Sequence, residues 1–260
     1  MLSAVGSRAE GASMIPIRYL KAPIVEAVID IHVRFDAEVT IELFEGFYSA
    51  VSDRFPTKGL IKQVHLGMAA GSEHLHVQSD QVQTGLRLQS GQNDRVLQIQ
   101  KQSFTLSHLP PYTDWETFRR EARELWAVFA ERCRPAEITR VAVRFVNRIL
   151  IPHERIELED YFNLYPNFPS GIPHDVSGMF MQFQMPQPDL DSGALAIINM
   201  AIEPSATPGA MAVLLDFDVF RQSSFAPDGE DVWNYFDRLR DQKNRLFEAT
   251  ITDKSRGLFI

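Results

Sequence analysis

Apolar and polar side chains alternate across residues 137–150, with Val141, Val143, Phe145 and Ile149 on one side and Arg140, Arg144 and Arg148 on the other. A period of two predicts a half-buried strand with a row of arginines on its polar face. Residues 23–35 carry the same pattern. Val25, Ala27, Ile29, Ile31, Val33 and Phe35 form the apolar side, and Glu26, Asp30, His32 and Arg34 lie on the other. Pro23 stands before the pairing region, where a missing N–H does least harm.

Three stretches have a helical period instead. Leu43, Phe44, Phe47, Tyr48 and Val51 predict a helix over 39–54, stopped by Pro56 and Gly59. Trp115, Phe118, Ala122, Leu125, Trp126 and Phe129 predict a longer one over 114–132, with Thr113 and Glu116 as a capping box. Val232, Trp233, Phe236, Leu239, Lys243, Leu246 and Phe247 share a face of a third, over 231–249. A short helix or turn is expected at 158–165. Strand-like runs fall at 61–69, 75–78, 82–89, 95–101 and 104–108, and again at 176–185, 194–203 and 211–220.

The order of elements repeats: strand, helix, antiparallel strands, long helix. This predicts an α+β fold of two β-α-β(3–4)-α halves, residues 16–135 and 136–260, joined in one compact unit. The halves would form a curved, mainly antiparallel sheet with the long helices packed on one face. A plan in which two such units join through their opening strands would set residues 23–35 beside 137–150. Residues 1–15 read as a disordered N-terminus.

Composition narrows the class without naming an activity. The 260 residues are 45% hydrophobic and 23% charged, ordinary for a globular chain, with a net charge of −8. That balance works against general nucleic-acid binding, which needs a dense positive footprint, but leaves room for a local basic patch. Cys133 is the only cysteine, so an internal disulfide is excluded and a reducing cytoplasm is the expected location. No run approaches the roughly 20 apolar residues of a membrane span, and no signal peptide is recognised.

The candidate chemistry lies on the polar sides of the two opening strands. Glu26 and Asp30 on one, and Arg140, Arg144 and Arg148 on the other, together with Asn147 of the second strand, could bind a ligand or partner, the arginines gripping an anion bidentately. They could equally form a cross-strand ladder, with Glu26 meeting Arg144 or Arg148. Asp216 and Asp218 share a strand face and are the weak candidates for a metal. His74 and His76, with His65 or His108, would make at most an incomplete zinc set. Cys133 stands between Arg132 and Arg134, which would lower its pKa. Glycine-rich phosphate loops, nucleophile elbows and zinc-helix motifs do not occur. No catalytic residue and no cofactor is therefore assigned.

Three stretches carry a resemblance. They are Ala22-Pro23-Ile24-Val25-Glu26-Ala27-Val28, then Arg144-Phe145-Val146-Asn147-Arg148-Ile149, and then Lys243-Asn244-Arg245-Leu246-Phe247 followed by Thr250-Ile251-Thr252. In this order and spacing the chain resembles a sporadically distributed, uncharacterised family of prokaryotic proteins. The resemblance implies a cytosolic prokaryotic protein encoded in mobile or defence-associated gene neighbourhoods. It implies no catalytic residues.

The leading expectation is a non-catalytic binding protein that holds a protein partner on its sheet face or in the groove between its halves, with an antitoxin-like or defence-accessory role as one form. One alternative is a helix-grip sensor of a small acidic ligand. Another is a metal-dependent hydrolase using Asp216 and Asp218. A homodimer is left open, nucleic acid is disfavoured, and no membrane association is expected.

Overall fold

The computed structural model describes residues 18–70, 75–172, 176 and 178–260, with backbone alone for 64–70 and 75–81. The disordered stretch expected at 1–15 lies outside the described residues. So does His74, and of His65 and His76 only the backbone is described.

The elements run β1 (Ile24–Arg34), α1 (Ile41–Val51), β2 (Thr57–Ala70), β3 (Leu75–Gln89), β4 (Arg95–Gln100), β5 (Ser103–His108) and α2 (Trp115–Cys133). They continue with β6 (Glu137–Ile151), α3 (Leu158–Tyr161), β7 (Phe180–Pro186), β8 (Ala194–Glu203), β9 (Met211–Phe225), α4 (Asp231–Thr250) and α5 (Asp253–Arg256). Among the described residues the nine strands form one antiparallel sheet, ordered β2-β3-β4-β5-β1-β6-β9-β8-β7. The two opening strands pair at its centre, with Ile29 opposite Val143 and Val28 opposite Arg144.

Alternation decides which side of this sheet is dry. Ala27, Ile29, Ile31 and Val33 of β1 share a face with Phe104 and Leu106 of β5, Val141, Val143 and Phe145 of β6, and Val219 of β9. Helices α1, α2 and α4 cover that face. Trp115, Phe118, Ala122, Leu125, Trp126, Phe129 and Cys133 recur at three- and four-residue spacing on α2 and are all buried. A large apolar side chain taken fully out of water contributes roughly 1.5–3 kcal/mol, so this stripe is enough to fix the helix on the sheet. Rings meet edge to face beneath it: Phe104 lies 5.5 Å from Trp126, and Phe47 5.8 Å from Phe129. These side chains pack between the long helices and the sheet.

Local details differ from the sequence reading in ways that have physical causes. The start of α2 is capped by Asp114, whose carboxylate accepts the Thr117 N–H at 2.7 Å, in place of the expected Thr113–Glu116 box. A carboxylate at this position also meets the positive end of the helix dipole. The runs at 75–78 and 82–89 form the single strand β3, because all of it pairs with β2. The expected strand 176–185 begins only at Phe180, and 211–220 continues to Phe225 along β6. The helix expected over 39–54 shortens to Ile41–Val51, and that expected at 158–165 to Leu158–Tyr161. No helix among the described residues is long and apolar enough to cross a membrane.

Candidate partner-binding face

Among the described residues no helix packs on the other face of the sheet, and charged side chains from its central strands meet there. Register sets the rows. His32, Arg140 and Gln222 lie side by side, followed by Asp30, Ala142 and Phe220, then Val28, Arg144 and Asp218, then Glu26, Val146 and Asp216. Arg140 lies along the face rather than across it. Its guanidinium donates to Asp30 Oδ2 at 2.6 Å and to Asp218 Oδ2 at 3.1 Å, and sits 4.3 Å from the centroid of the Phe220 ring. The path from its own row to that of Asp218 crosses Ala142, whose methyl leaves room for the long side chain. Stacking on an aromatic face while donating to two carboxylates is a geometry suited to arginine and not to lysine.

Asp30 is held from two further directions. The Thr105 hydroxyl donates to Oδ1 at 2.6 Å, and His32 Nε2 lies 3.1 Å from Oδ2. Desolvation pushes the Asp30 pKa upward, yet the His32 contact, the Thr105 bond and the Arg140 charge together bring it below the ordinary carboxylate value. Asp218 moves the opposite way. Burial raises its pKa, the charges of Asp30 and Asp216 add to the rise, and Arg140 and Arg144 oppose it. Its Oδ1 is buried without a hydrogen-bond partner. Two carboxylates on one guanidinium thus have their proton affinities driven apart.

Arg144 makes a second centre. Its Nε and Nη2 donate to Asp216 Oδ1 and Oδ2 at 2.8 and 2.7 Å. Asn199 Nδ2 adds a third bond to Asp216 at 2.9 Å, and Gln182 Nε2 donates to Asn199 Oδ1 at 2.8 Å, so the chain of contacts spans β6, β9, β8 and β7. The Asp216 side chain is 4% exposed, whereas that of Arg144 is 51% exposed. The carboxylate is therefore the buried anchor and the guanidinium the part that meets solvent. Its pKa rises further because the bond to Asp216 favours the charged form over desolvation.

The cross-strand ladder expected between Glu26 and Arg144 or Arg148 is not the one formed. Glu26 and Asp216 flank Val146 from opposite sides, so Arg144 is diagonal to both, and it places both donors on Asp216. Arg148 donates to the Pro204 carbonyl at 3.0 Å and lies 3.6 Å from Glu203. Glu26 makes no hydrogen bond or ion pair among the described residues and acts on Arg144 only through its charge. Asn147 is turned to the helix-covered side, buried, with Nδ2 donating to the carbonyls of Phe145 and Leu215. It is thus out of reach of a ligand on the open face. Asp216 and Asp218 share a face as expected, but each is engaged by an arginine.

Two further side chains change meaning. Burial pushes the Cys133 thiol up to about 12, overriding the lowering expected from Arg132 and Arg134. A cavity of about 260 Å³ borders it, lined by Phe35, Val39, Leu43 and Ala136 among others, at the outer end of α2. Lys243 of α4, placed by its spacing on the apolar stripe, is indeed buried, its Nζ 3.9 Å from the centroid of the Phe145 ring.

Thr105, Asn199, Gln182 and Phe220 belong to the face network and were missed by sequence reasoning. Only strand pairing brings them beside Asp30, Asp216 and Arg140, and no local pattern marks them. Comparison with known proteins returned no matching family model and no matching curated protein.

Proposed function

We propose that this chain is a non-catalytic binding protein that holds a protein partner on the helix-free face of its sheet. The observation that carries this reading is the charge pairing on that face. Its acids and arginines largely neutralise one another, which leaves a polar surface with hydrogen-bonding capacity and no strong net field. Such a surface suits a folded protein better than a polyanion. The solvent-facing side of Arg144, together with Arg148, Leu150 and Glu203, supplies the contact positions. Leu150, 45% exposed, gives an apolar point among them.

The prokaryotic, cytoplasmic setting and an antitoxin-like or defence-accessory role rest on the resemblance of the three motif stretches. The duplication reading, with halves 16–135 and 136–260, is supported by strand order. From the central pair the sheet runs outward as β1-β5-β4-β3-β2 on one side and β6-β9-β8-β7 on the other, and a long helix follows each meander.

The test is affinity capture from the native host with the wild-type chain and with an Arg148→Glu, Leu150→Asp double variant. A stoichiometric partner retained by the first and lost by the second, at equal melting temperature, supports the reading. Equal capture by both, or no partner with either under gentle lysis, overturns it.

A further inference from the structure

The two edges of the sheet are unlike. The outer strand β2 carries Lys58 and Lys62, charges of the kind that discourage pairing with another chain. The opposite edge, β7, reads Phe-Met-Gln-Phe-Gln-Met-Pro and has no charge at all. Among the described residues no strand pairs with its outer side. Phe180 and Phe183 are 68% and 37% exposed there.

The hydrogen-bond phase of β7 shows which backbone groups are free. Gln187 N–H donates to the Ala194 carbonyl, and Ile202 N–H to the Met179 carbonyl. In the uninterrupted antiparallel register between those points, Met181, Phe183 and Met185 bond inward to β8. Phe180, Gln182 and Gln184 therefore point their N–H and C=O groups outward. Pro186, with no N–H, ends the row.

We propose that β7 is the dimer seam of this protein, pairing antiparallel with β7 of a second copy about a two-fold axis at Gln182. This register places Phe180 opposite Gln184 of the other copy and Gln182 opposite itself. It satisfies every outward donor of the row and leaves Pro186 beyond the last bond. A centre at Phe183 would instead set Phe180 against Pro186, which has no N–H, and leave the Phe180 carbonyl without a donor. The chosen register also puts Met181 opposite Phe183 on the helix-covered side, which extends the apolar layer across the seam. On the open side it puts Gln182 against Gln182, whose amides can donate and accept mutually. Each copy carries a net charge of −8, so an uncharged strand is where two copies can approach with least repulsion. An isologous contact of this kind closes on itself and forms no filament. The dimer does not depend on the partner-binding reading, because it uses the edge and not the face.

Sedimentation equilibrium of the full chain across a dilution series tests this. The wild type is expected at about twice 29.6 kDa. Gln182→Lys and Gln182→Glu each set like charges against each other at the axis and are expected to raise the dissociation constant roughly tenfold or more. Mixing the two variants is expected to restore the dimer, an outcome specific to the register in which residue 182 faces itself. Gln184→Pro removes one outward N–H and no bond to β8, and serves if a charge at 182 unsettles the fold, as checked by circular dichroism. A monomeric wild type at all concentrations overturns the proposal, including the case in which an extended segment of another protein occupies the edge. So does a dimer indifferent to these variants.

Discussion

Lys243 gives a prediction whose magnitude can be worked through. The residue is 6% exposed, and its amine lies over the Phe145 ring with no hydrogen-bond acceptor among the described residues. Burial, helped by the Arg240 charge one turn away and opposed by Glu248, lowers its pKa from the ordinary 10.5 to about 7. The fall is roughly 3.5 pH units at ~1.4 kcal/mol each, so keeping the charge inside costs about 5 kcal/mol. The folded pKa is depressed, so the unfolded chain binds more protons between pH 7 and 10.5. Stability therefore rises with pH across that window, and the Lys243 contribution is fully lost below about pH 7. Lys243→Met keeps the length of the side chain and removes the amine. It is expected to raise the unfolding free energy at pH 7 by about 2–4 kcal/mol, after allowance for imperfect packing. Urea titrations of both proteins at several pH values from 6.5 to 9.5 measure this. The gap should narrow by nearly 1.4 kcal/mol per pH unit between 8 and 9.5, below the range where the phenol of neighbouring Tyr112, itself raised by burial, complicates the curve. A gap that does not change with pH, or a variant less stable at pH 7, would refute the reasoning.

The Arg144–Asp216 pair should respond asymmetrically. Arg144→Met leaves a buried carboxylate with only Asn199 and should cost about 2–4 kcal/mol, whereas Asp216→Asn frees a guanidinium that already faces water and should cost about half as much; equal losses in denaturant melts would show that the carboxylate is not the anchor. Gly85→Ala should cost about 1–3 kcal/mol, because a Cβ there would stand 2.1 Å from the Ile99 carbonyl oxygen on β4, and an unchanged melting temperature would mean the strands part more easily than this packing allows.

The central strands were legible because alternation is a local property. β1 and β6 each bury one side, and Asp30, Arg140, Arg144, Asp216 and Asp218 could be assigned to polar sides from the period alone. Partner choice was not legible. Glu26 and Asp216 lie at the same level on either side of β6, and which of them takes Arg144 depends on the register of β1 and β9 against it. The period of β6 does put Asn147 in its apolar row, but that its amide is satisfied there by the Phe145 and Leu215 carbonyls depends on β9 being the neighbouring strand.

What the sequence alone determined, then, was the kind of element at each point, its dry side, and the placement of Lys243 on the stripe of α4. Periods of 2 and 3.6 follow from backbone geometry within a few residues. The order of strands, the pairing of Arg140 with both Asp30 and Asp218, the shielding of Cys133 and the uncharged edge at β7 were decided by tertiary structure. Each depends on segments far apart in the chain being brought to one place, and on the burial that results. No local period encodes either.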